Sequence, residues 1–263
     1  MIDLHHHCLP GIDDGPDSWE EAVDLCRMAA DEGVGTIVAT PHVLRGRWPV
    51  FTPAELKQKL DTLREKVGDS PRLLLGSEYF FAHDICEELA AGNRIVPLAG
   101  GHYVLVEFAS NAIPPLIEQP FYRLQLEGWT PIIAHPERNI VFQSHPELLA
   151  RLIEHGARTQ ITAASFLGDF GNTARKVAEE WLKAGMVHIV ATDSHNTSKR
   201  PPRAKAAMDA LRELAGEDFT NALTYDNPLA VIEDRPLPFD PEPEAAPPRR
   251  GLFTEFKRFI GLS

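Results

Sequence analysis

Cysteine is scarce in this 263-residue chain: Cys8, Cys26 and Cys86 form an odd set with no Cys-x-x-Cys spacing. That speaks against a disulfide framework or a thiolate zinc ribbon and fits thiols kept reduced, with the cytoplasm as the expected address. Long apolar runs are missing too; the longest are far too short to span a bilayer, so a soluble protein is expected. Basic charge is thin, with 26 Lys and Arg against 38 Asp and Glu, a formal net charge of −12 and no long basic run. That disfavours a nucleic-acid surface, although metal ions can locally reverse the field inside a cleft.

What the chain does have is histidine in telling places. Met1-Ile2-Asp3-Leu4-His5-His6-His7 reads as a hydrophobic strand running into histidines, with no signal peptide expected ahead of it. Alternate side chains of a strand share a face, so His5 and His7 can grip one metal ion while His6 points away. Only three consecutive histidines are present, embedded between Ile2-Asp3-Leu4 and Cys8-Leu9-Pro10, which sets them apart from an affinity tag.

Beyond this start, β-branched runs alternate with capped amphipathic helices. Ser18-Trp19-Glu20-Glu21 has the form of a capping box opening a helix that closes near Gly33. Thr52-Pro53 offers an N-cap and a first-turn proline for a helix to about Val67. Strands are expected at Thr36 to Ala39, Arg72 to Leu75, Tyr103 to Glu107, Thr130 to Ala134, Arg158 to Thr162 and His188 to Thr192. Helical patterns lie around Pro115 to Glu127, Pro146 to His155 and Asn172 to Ala184. Seven strands with helical crossovers predict an α/β fold with a parallel sheet, either open and doubly wound or closed into a barrel.

The polar residues fall at strand ends. His5 and His7 end the first strand, His42 the second, Glu78 the third, Glu107 the fourth and His135 the fifth, while Asp193 and His195 end the seventh. Parallel α/β folds place their active sites at the carboxyl ends of strands. One such histidine means little, but six strand ends carrying His, Asp or Glu form a constellation. In the loop Asp13-Asp14-Gly15, Asp14 is expected to coordinate and Asp13 to shape the turn.

Imidazole and carboxylate donors without a thiolate set suit manganese, iron or zinc rather than calcium. The donors outnumber what one ion needs, and a carboxylate such as Glu78 could bridge two ions, so a two- or three-metal cluster is expected. Such clusters activate water at neutral pH and clamp phosphoryl oxygens. Arg138, three residues after His135, and Arg200, five after His195, offer guanidinium forks that match phosphate oxygens.

At this point the chain resembles a known group. His5-x-His7, Pro10-Gly11-Ile12-Asp13-Asp14-Gly15-Pro16, Thr40-Pro41-His42, Gly76-x-Glu78, His135-Pro136-Glu137-Arg138 and Asp193-Ser194-His195-Asn196 look like the polymerase-and-histidinol-phosphatase (PHP) superfamily. The closer likeness is to its bacterial protein-tyrosine-phosphatase branch of capsule and exopolysaccharide synthesis, and it runs from Met1 to about Leu237. The resemblance implies a distorted seven-stranded (β/α) barrel with three metal ions, usually manganese. It carries over His5, His7, Asp14, His42, Glu78, Glu107, His135, Asp193 and His195 as metal ligands, and Arg138 and Arg200 as phosphate-binding groups.

The implied activity is hydrolysis of phosphotyrosine on a protein, with a membrane-associated tyrosine autokinase of polysaccharide assembly as the expected partner. Rival readings are a small-molecule phosphatase of the histidinol-phosphate type, a nuclease on the same scaffold, and a non-catalytic phosphotyrosine-binding subunit. A cysteine mechanism needs Cys and Arg six positions apart. Six residues after the three cysteines come Asp14, Glu32 and Gly92, so that mechanism is excluded on spacing.

The expected domain is 1–237, followed by a proline-rich linker at 238–250 and a short amphipathic segment at 251–263. In that segment Leu252, Phe253, Phe256, Phe259 and Ile260 share one helical face. It is expected to dock on the barrel, on the partner kinase, or peripherally at the inner face of the membrane.

Overall fold

Two N-caps set the first helices. Ser18 Oγ accepts from Glu21 N at 3.2 Å to open α1 (Trp19–Asp31), but Glu21 reaches back to Asp17 N, so only half of the capping box forms. Thr52 and Glu55 complete a reciprocal box at the start of α2 (Pro53–Val67). The structure is a computed structural model that describes residues 1–43 and 46–243; the segment 251–263 lies outside the described residues.

The strands are β1 (Ile2–His6), β2 (Thr36–Ala39), β3 (His42–Val43), β4 (Arg72–Leu75), β5 (Glu78–Phe80), β6 (Tyr103–Glu107), β7 (Thr130–Ala134), β8 (Arg158–Thr162) and β9 (Ile189–Ala191). Between and after them lie α3 (Ile85–Ala91), α4 (Glu118–Leu126), α5 (Ile140–Ser144), α6 (Pro146–Glu154), α7 (Ala163–Leu167), α8 (Gly171–Lys183), α9 (Ala204–Ala215), α10 (Glu217–Asn221) and α11 (Asn227–Ile232). Every pairing is parallel, in a three-stranded sheet β1-β2-β4 and a six-stranded sheet β3-β5-β6-β7-β8-β9. This is the α/β architecture that the strand and helix pattern predicts.

Seven strands are expected from sequence, and nine segments occur among the described residues. The difference arises at two breaks. Pro41 has no N–H to continue the ladder between β2 and β3. Gly76, between β4 and β5, runs so close to its neighbours that an added Cβ would lie 2.7 Å from Leu98 Cδ2. Across the breaks the chains stay bonded, Gly76 N to Ala39 O at 2.8 Å and Glu78 N to Pro41 O at 3.0 Å. Each break lies just before a candidate site residue, His42 or Glu78.

The two sheets also meet at β1 and β9. His6 bridges Ser194 in parallel, Asp193 N donates to His5 O at 2.8 Å, and His7 N donates to Ser194 O at 2.9 Å. Alternation along the strands fills both faces. In β6, Val104 and Val106 join the outer core with the helices, while Tyr103 and Leu105 join an inner cluster with Leu4, Val38, Ile132 and Ile189. Val231 of α11 and Leu237 belong to that inner cluster as well.

The packed chain runs past the expected boundary at residue 237. Asn227 Nδ2 donates to Phe239 O at 2.6 Å, Phe239 N donates to Asn227 Oδ1 at 3.0 Å, and Arg158 pairs with Asp240. Phe239 and Asp240, assigned to the linker by composition, are therefore part of the folded body.

Candidate metal centre

The end of β1 delivers its two histidines as the alternation requires. His5 Nε2 and His7 Nε2 face each other at 3.1 Å. Their other nitrogens are engaged: His5 Nδ1 lies 2.8 Å from Gln160 Oε1, and His7 Nδ1 lies 2.8 Å from Asp13 Oδ2. An Nδ1–H held on an oxygen leaves the Nε2 lone pair for the centre. Two ring nitrogens this close share either a proton or a metal cation.

All nine candidate ligands converge there. Their donor atoms fall into four overlapping groups, each within 4.8 Å: His7, Asp14, His42 and His195; His5, Glu78 and His135; His5, His7 and Asp193; His42, Glu78 and Glu107. Glu78 belongs to two of them. Its Oε1 lies 2.9 Å from His135 Nε2, and its Oε2 lies 2.9 Å from His42 Nδ1 and 3.3 Å from His5 Nε2. That is the arrangement a bridging carboxylate requires. Eight of the nine are buried; Asp14 alone stands partly open, 3.2 Å from His195 Nε2 and 3.3 Å from His42 Nε2. His6 joins none of the four groups, and its buried ring nitrogens have no hydrogen-bond partner.

The charges fit the same picture. Burial opposes protonation of His5, yet Glu78 and Asp193 outweigh it and lift the ring to about 9. Burial is likewise overcome at His42, which Glu78, Asp14 and Glu107 raise to about 11. Burial and the Arg138 charge bring His135 down to about 4, and burial and His7 do the same for His195. Burial also works against charge on Glu78 and Asp193, but the surrounding imidazoles and guanidiniums hold both well below the usual carboxylate range. A site that keeps buried carboxylates ionised among imidazole donors suits divalent ions.

Arg138 and Arg200 both reach Asp193 Oδ2, through Nη1 at 2.5 Å and Nη2 at 2.6 Å. Asp193 Oδ1 lies on the other side, 3.3 Å from His5 Nε2. One carboxylate thus joins the donor cluster to two guanidiniums. Arg200 returns to the site because Asn196 Oδ1 accepts from Lys199 N and Arg200 N, closing a tight loop. Asp193 and His135 take positive φ values, 54° and 35°, uncommon for side-chain-bearing residues.

Two supporting roles are absent from the sequence reading. Asp13 does more than shape its turn. Besides His7 it accepts from His42 N at 2.9 Å and Gly15 N at 3.0 Å. Gln160 orients His5, and its only signal was its place on β8. Seven of the candidate ligands, all but His5 and His7, line a cleft of about 160 Å³ together with both arginines. Pockets that engulf a drug-sized ligand run to roughly 300–1,000 Å³, so this one suits a small charged group presented at the surface.

Comparison with known proteins gives the family. The profile of the family described as capsular polysaccharide synthesis, CpsB/CapC, matches residues 1–233. The tyrosine-protein phosphatase YwqE of Bacillus subtilis is 33% identical over 258 residues, covering 97% of this chain and 100% of YwqE. The tyrosine-protein phosphatase CpsB of Streptococcus pneumoniae is 31% identical over 242 residues, covering 89% of this chain and 99% of CpsB. A crystal structure from the set described as YwqE and CpsB, unique metal-dependent tyrosine phosphatases, superposes with a TM-score of 0.87 at 33% identity, covering 93% of this chain and 99% of that one. L-Hydantoinase from Arthrobacter aurescens, at 12% identity and a TM-score of 0.54 over 88% of this chain and 70% of its own, shares the fold alone. This chain belongs to the CpsB/CapC family of capsular polysaccharide synthesis.

Proposed function

We propose that this protein is a metal-dependent protein-tyrosine phosphatase of polysaccharide assembly. The observation that carries the reading is the position of Asp193, with one oxygen toward the imidazole cluster and the other held by two arginines. That geometry supports reading the two guanidiniums as phosphate-binding forks beside a site for divalent ions. Named relatives with tyrosine phosphatase activity support the substrate class.

His5, His7, Asp14, His42, Glu78, Glu107, His135, Asp193 and His195 would hold the ions, with manganese as the metal, three as the number, and iron or zinc as substitutes this donor set also suits. Bound ions would lower the pKa of water and polarise phosphoryl oxygens. Arg138 and Arg200 each carry five N–H donors, more than Asp193 uses, and aim charge at the equatorial oxygens as they gain charge. A phenol with a pKa near ~10 leaves readily, so the reaction needs little general-acid help. The small, partly open cleft admits a phosphoryl group carried on a protein side chain.

The two interrupted strands, β2 with β3 and β4 with β5, count as single staves, and the two sheets then form one distorted seven-stranded barrel. The phosphatase domain is essentially residues 1–237 plus the short packed stretch after it. The substrate is a tyrosine autokinase at the inner face of the membrane, reached from the cytoplasm.

The test is a turnover comparison of phosphotyrosine peptide, histidinol phosphate and single-stranded DNA in manganese, with metal content measured alongside. Preferred hydrolysis of the phosphotyrosine peptide is expected. Preference for histidinol phosphate would make it a small-molecule phosphatase, and tight peptide binding without phosphate release a binding subunit.

A further inference from the structure

The turn that carries His135 and Arg138 is gripped from outside the metal cluster by the junction of β8 with α7. Glu137 is fully buried, and its Oε1 accepts from Ser165 Oγ at 2.6 Å and from Thr162 N at 3.1 Å. Its Oε2 has no hydrogen-bond partner, so the carboxylate anchors through one oxygen. Ser165 lies in α7, and the chain leaving α7 passes through Gly168-Asp169-Phe170-Gly171. Gly168 and Gly171 both adopt left-handed backbone, with φ of 85° and 90°, and Gly171 N donates to Gly168 O at 2.9 Å. Asp169 is tied to Arg203 at 2.9 Å. This short, fixed loop sets the ring of Phe170 under Arg138, with the guanidinium carbon 4.5 Å from the ring centroid.

Arg138 is therefore held on two sides, by Asp193 Oδ2 at 2.5 Å and by the face of Phe170. An arginine side chain has many rotamers, and a phosphate-binding fork works only if its plane is set before the phosphoryl group arrives. The aromatic face restricts the guanidinium without using any of its N–H donors. Glu137 fixes the backbone from which that side chain departs. We propose that Phe170 and Glu137 are positioning residues that set the Arg138 guanidinium for a phosphoryl group, a role that rests on the phosphatase reading. Neither contacts the substrate.

The experiment titrates inorganic phosphate into the metal-loaded full chain and measures metal content and peptide turnover on the same samples. Phe170→Leu should weaken phosphate binding by at least about three-fold, the lower end for a lost cation–π contact. Metal content should stay unchanged, and Phe170→Tyr should restore affinity. In an Arg138→Ala background, Phe170→Leu should have no further effect. Glu137→Gln keeps an acceptor oxygen and should retain more phosphate affinity than Glu137→Ala. Equal affinity in Phe170→Leu and the parent overturns the inference, as does an equal loss in the Arg138→Ala background. A parent chain that binds phosphate but leaves phosphotyrosine peptide intact defeats the phosphatase reading, and the phosphate titration still decides the positioning role.

Discussion

Arg138 and Arg200 donate to the same oxygen of Asp193, at 2.5 Å and 2.6 Å, although 62 residues separate them in the chain. The two guanidiniums are held together by a carboxylate whose other oxygen belongs to the imidazole cluster.

Replacing either arginine with alanine should leave metal content largely intact, because Asp193 Oδ1 and the other ligands are untouched. Catalytic efficiency should fall by about 2–4 kcal/mol in transition-state stabilisation, the range for one lost charge-assisted donor at a reacting group. Lysine should recover only part of it, since a point charge cannot reproduce the fork. Steady-state kinetics with a phosphotyrosine peptide reads the effect; near-parental efficiency in an alanine variant would reduce that arginine to an Asp193 partner.

Asp13 should matter almost as much as a ligand while binding no ion. Its carboxylate orients His7 and ties down the backbone of His42 and Gly15. Asp13→Ala should weaken metal affinity roughly ten- to a hundred-fold, the usual cost of losing an orienting partner behind a histidine ligand. A competition titration with a fluorescent metal indicator measures this. Parental affinity would leave Asp13 as a turn residue only.

The strand-end positions were legible in sequence because parallel strands expose their polar residues there. His5, His42, Glu78, Glu107, His135 and Asp193 could be picked out one strand at a time. What no local pattern carries is long-range pairing, such as Gln160 with His5 or Phe170 with Arg138. Helix α9 escaped because its buried stripe is Ala204, Ala207 and Leu211, too weakly apolar to stand out. The breaks at Pro41 and Gly76 are visible only once their neighbours are known. Composition placed the linker too early, since Phe239 is held by Asn227, a buried asparagine twelve residues earlier.

Chelation should abolish activity and manganese should restore it, whereas thiol alkylation of the folded protein should do little. Cys8, Cys26 and Cys86 are all buried. A hydrogen bond with Cys26, together with burial, pushes the Cys8 thiol well above its ordinary value, and burial raises Cys86 to about 11. Cys8 and Cys86 then carry few thiolates at neutral pH, and the thiolate is the reactive form. Rapid loss of turnover on alkylation with the metals still bound would overturn the metal mechanism.

His188 supplies a pH dependence away from the ligands. Its Nδ1 accepts from Thr159 N at 3.2 Å, and burial, aided by the Arg158 charge, depresses it to about 3. Asp240 Oδ1, 3.7 Å from Nε2, is too exposed to reverse this. A depressed histidine is protonated first in the unfolded chain, whose ordinary value is near ~6.5. Its contribution to stability is therefore whole above that pH and is lost as pH falls toward 3, by about 1.4 kcal/mol per unit. Denaturant unfolding of metal-free protein between pH 7 and 5 should show a shallower slope in His188→Asn. Parallel slopes would remove His188 from the acid response.

The end of the folded body can be located by two truncations. Ending the chain at Pro238 removes Phe239, whose backbone takes both amide groups of the buried Asn227 and whose ring packs 5.0 Å from Phe219. Asn227 Nδ2 would keep His188 O at 2.8 Å, but leaving the buried Oδ1 without its donor should cost about 1–3 kcal/mol of stability. Ending it at Pro243 keeps those contacts and should leave the unfolding midpoint and small-phosphopeptide turnover unchanged. The shorter tail also lacks residues 251–263, with their apolar face of Leu252, Phe253, Phe256, Phe259 and Ile260. If that segment docks on a membrane or kinase, the Pro243 truncation should lose liposome binding or dephosphorylation of the membrane-bound kinase while sparing the free peptide. Equal stability of the two truncations would return the boundary to Pro238, and unchanged activity on the membrane-bound kinase together with unchanged liposome binding would end the docking role.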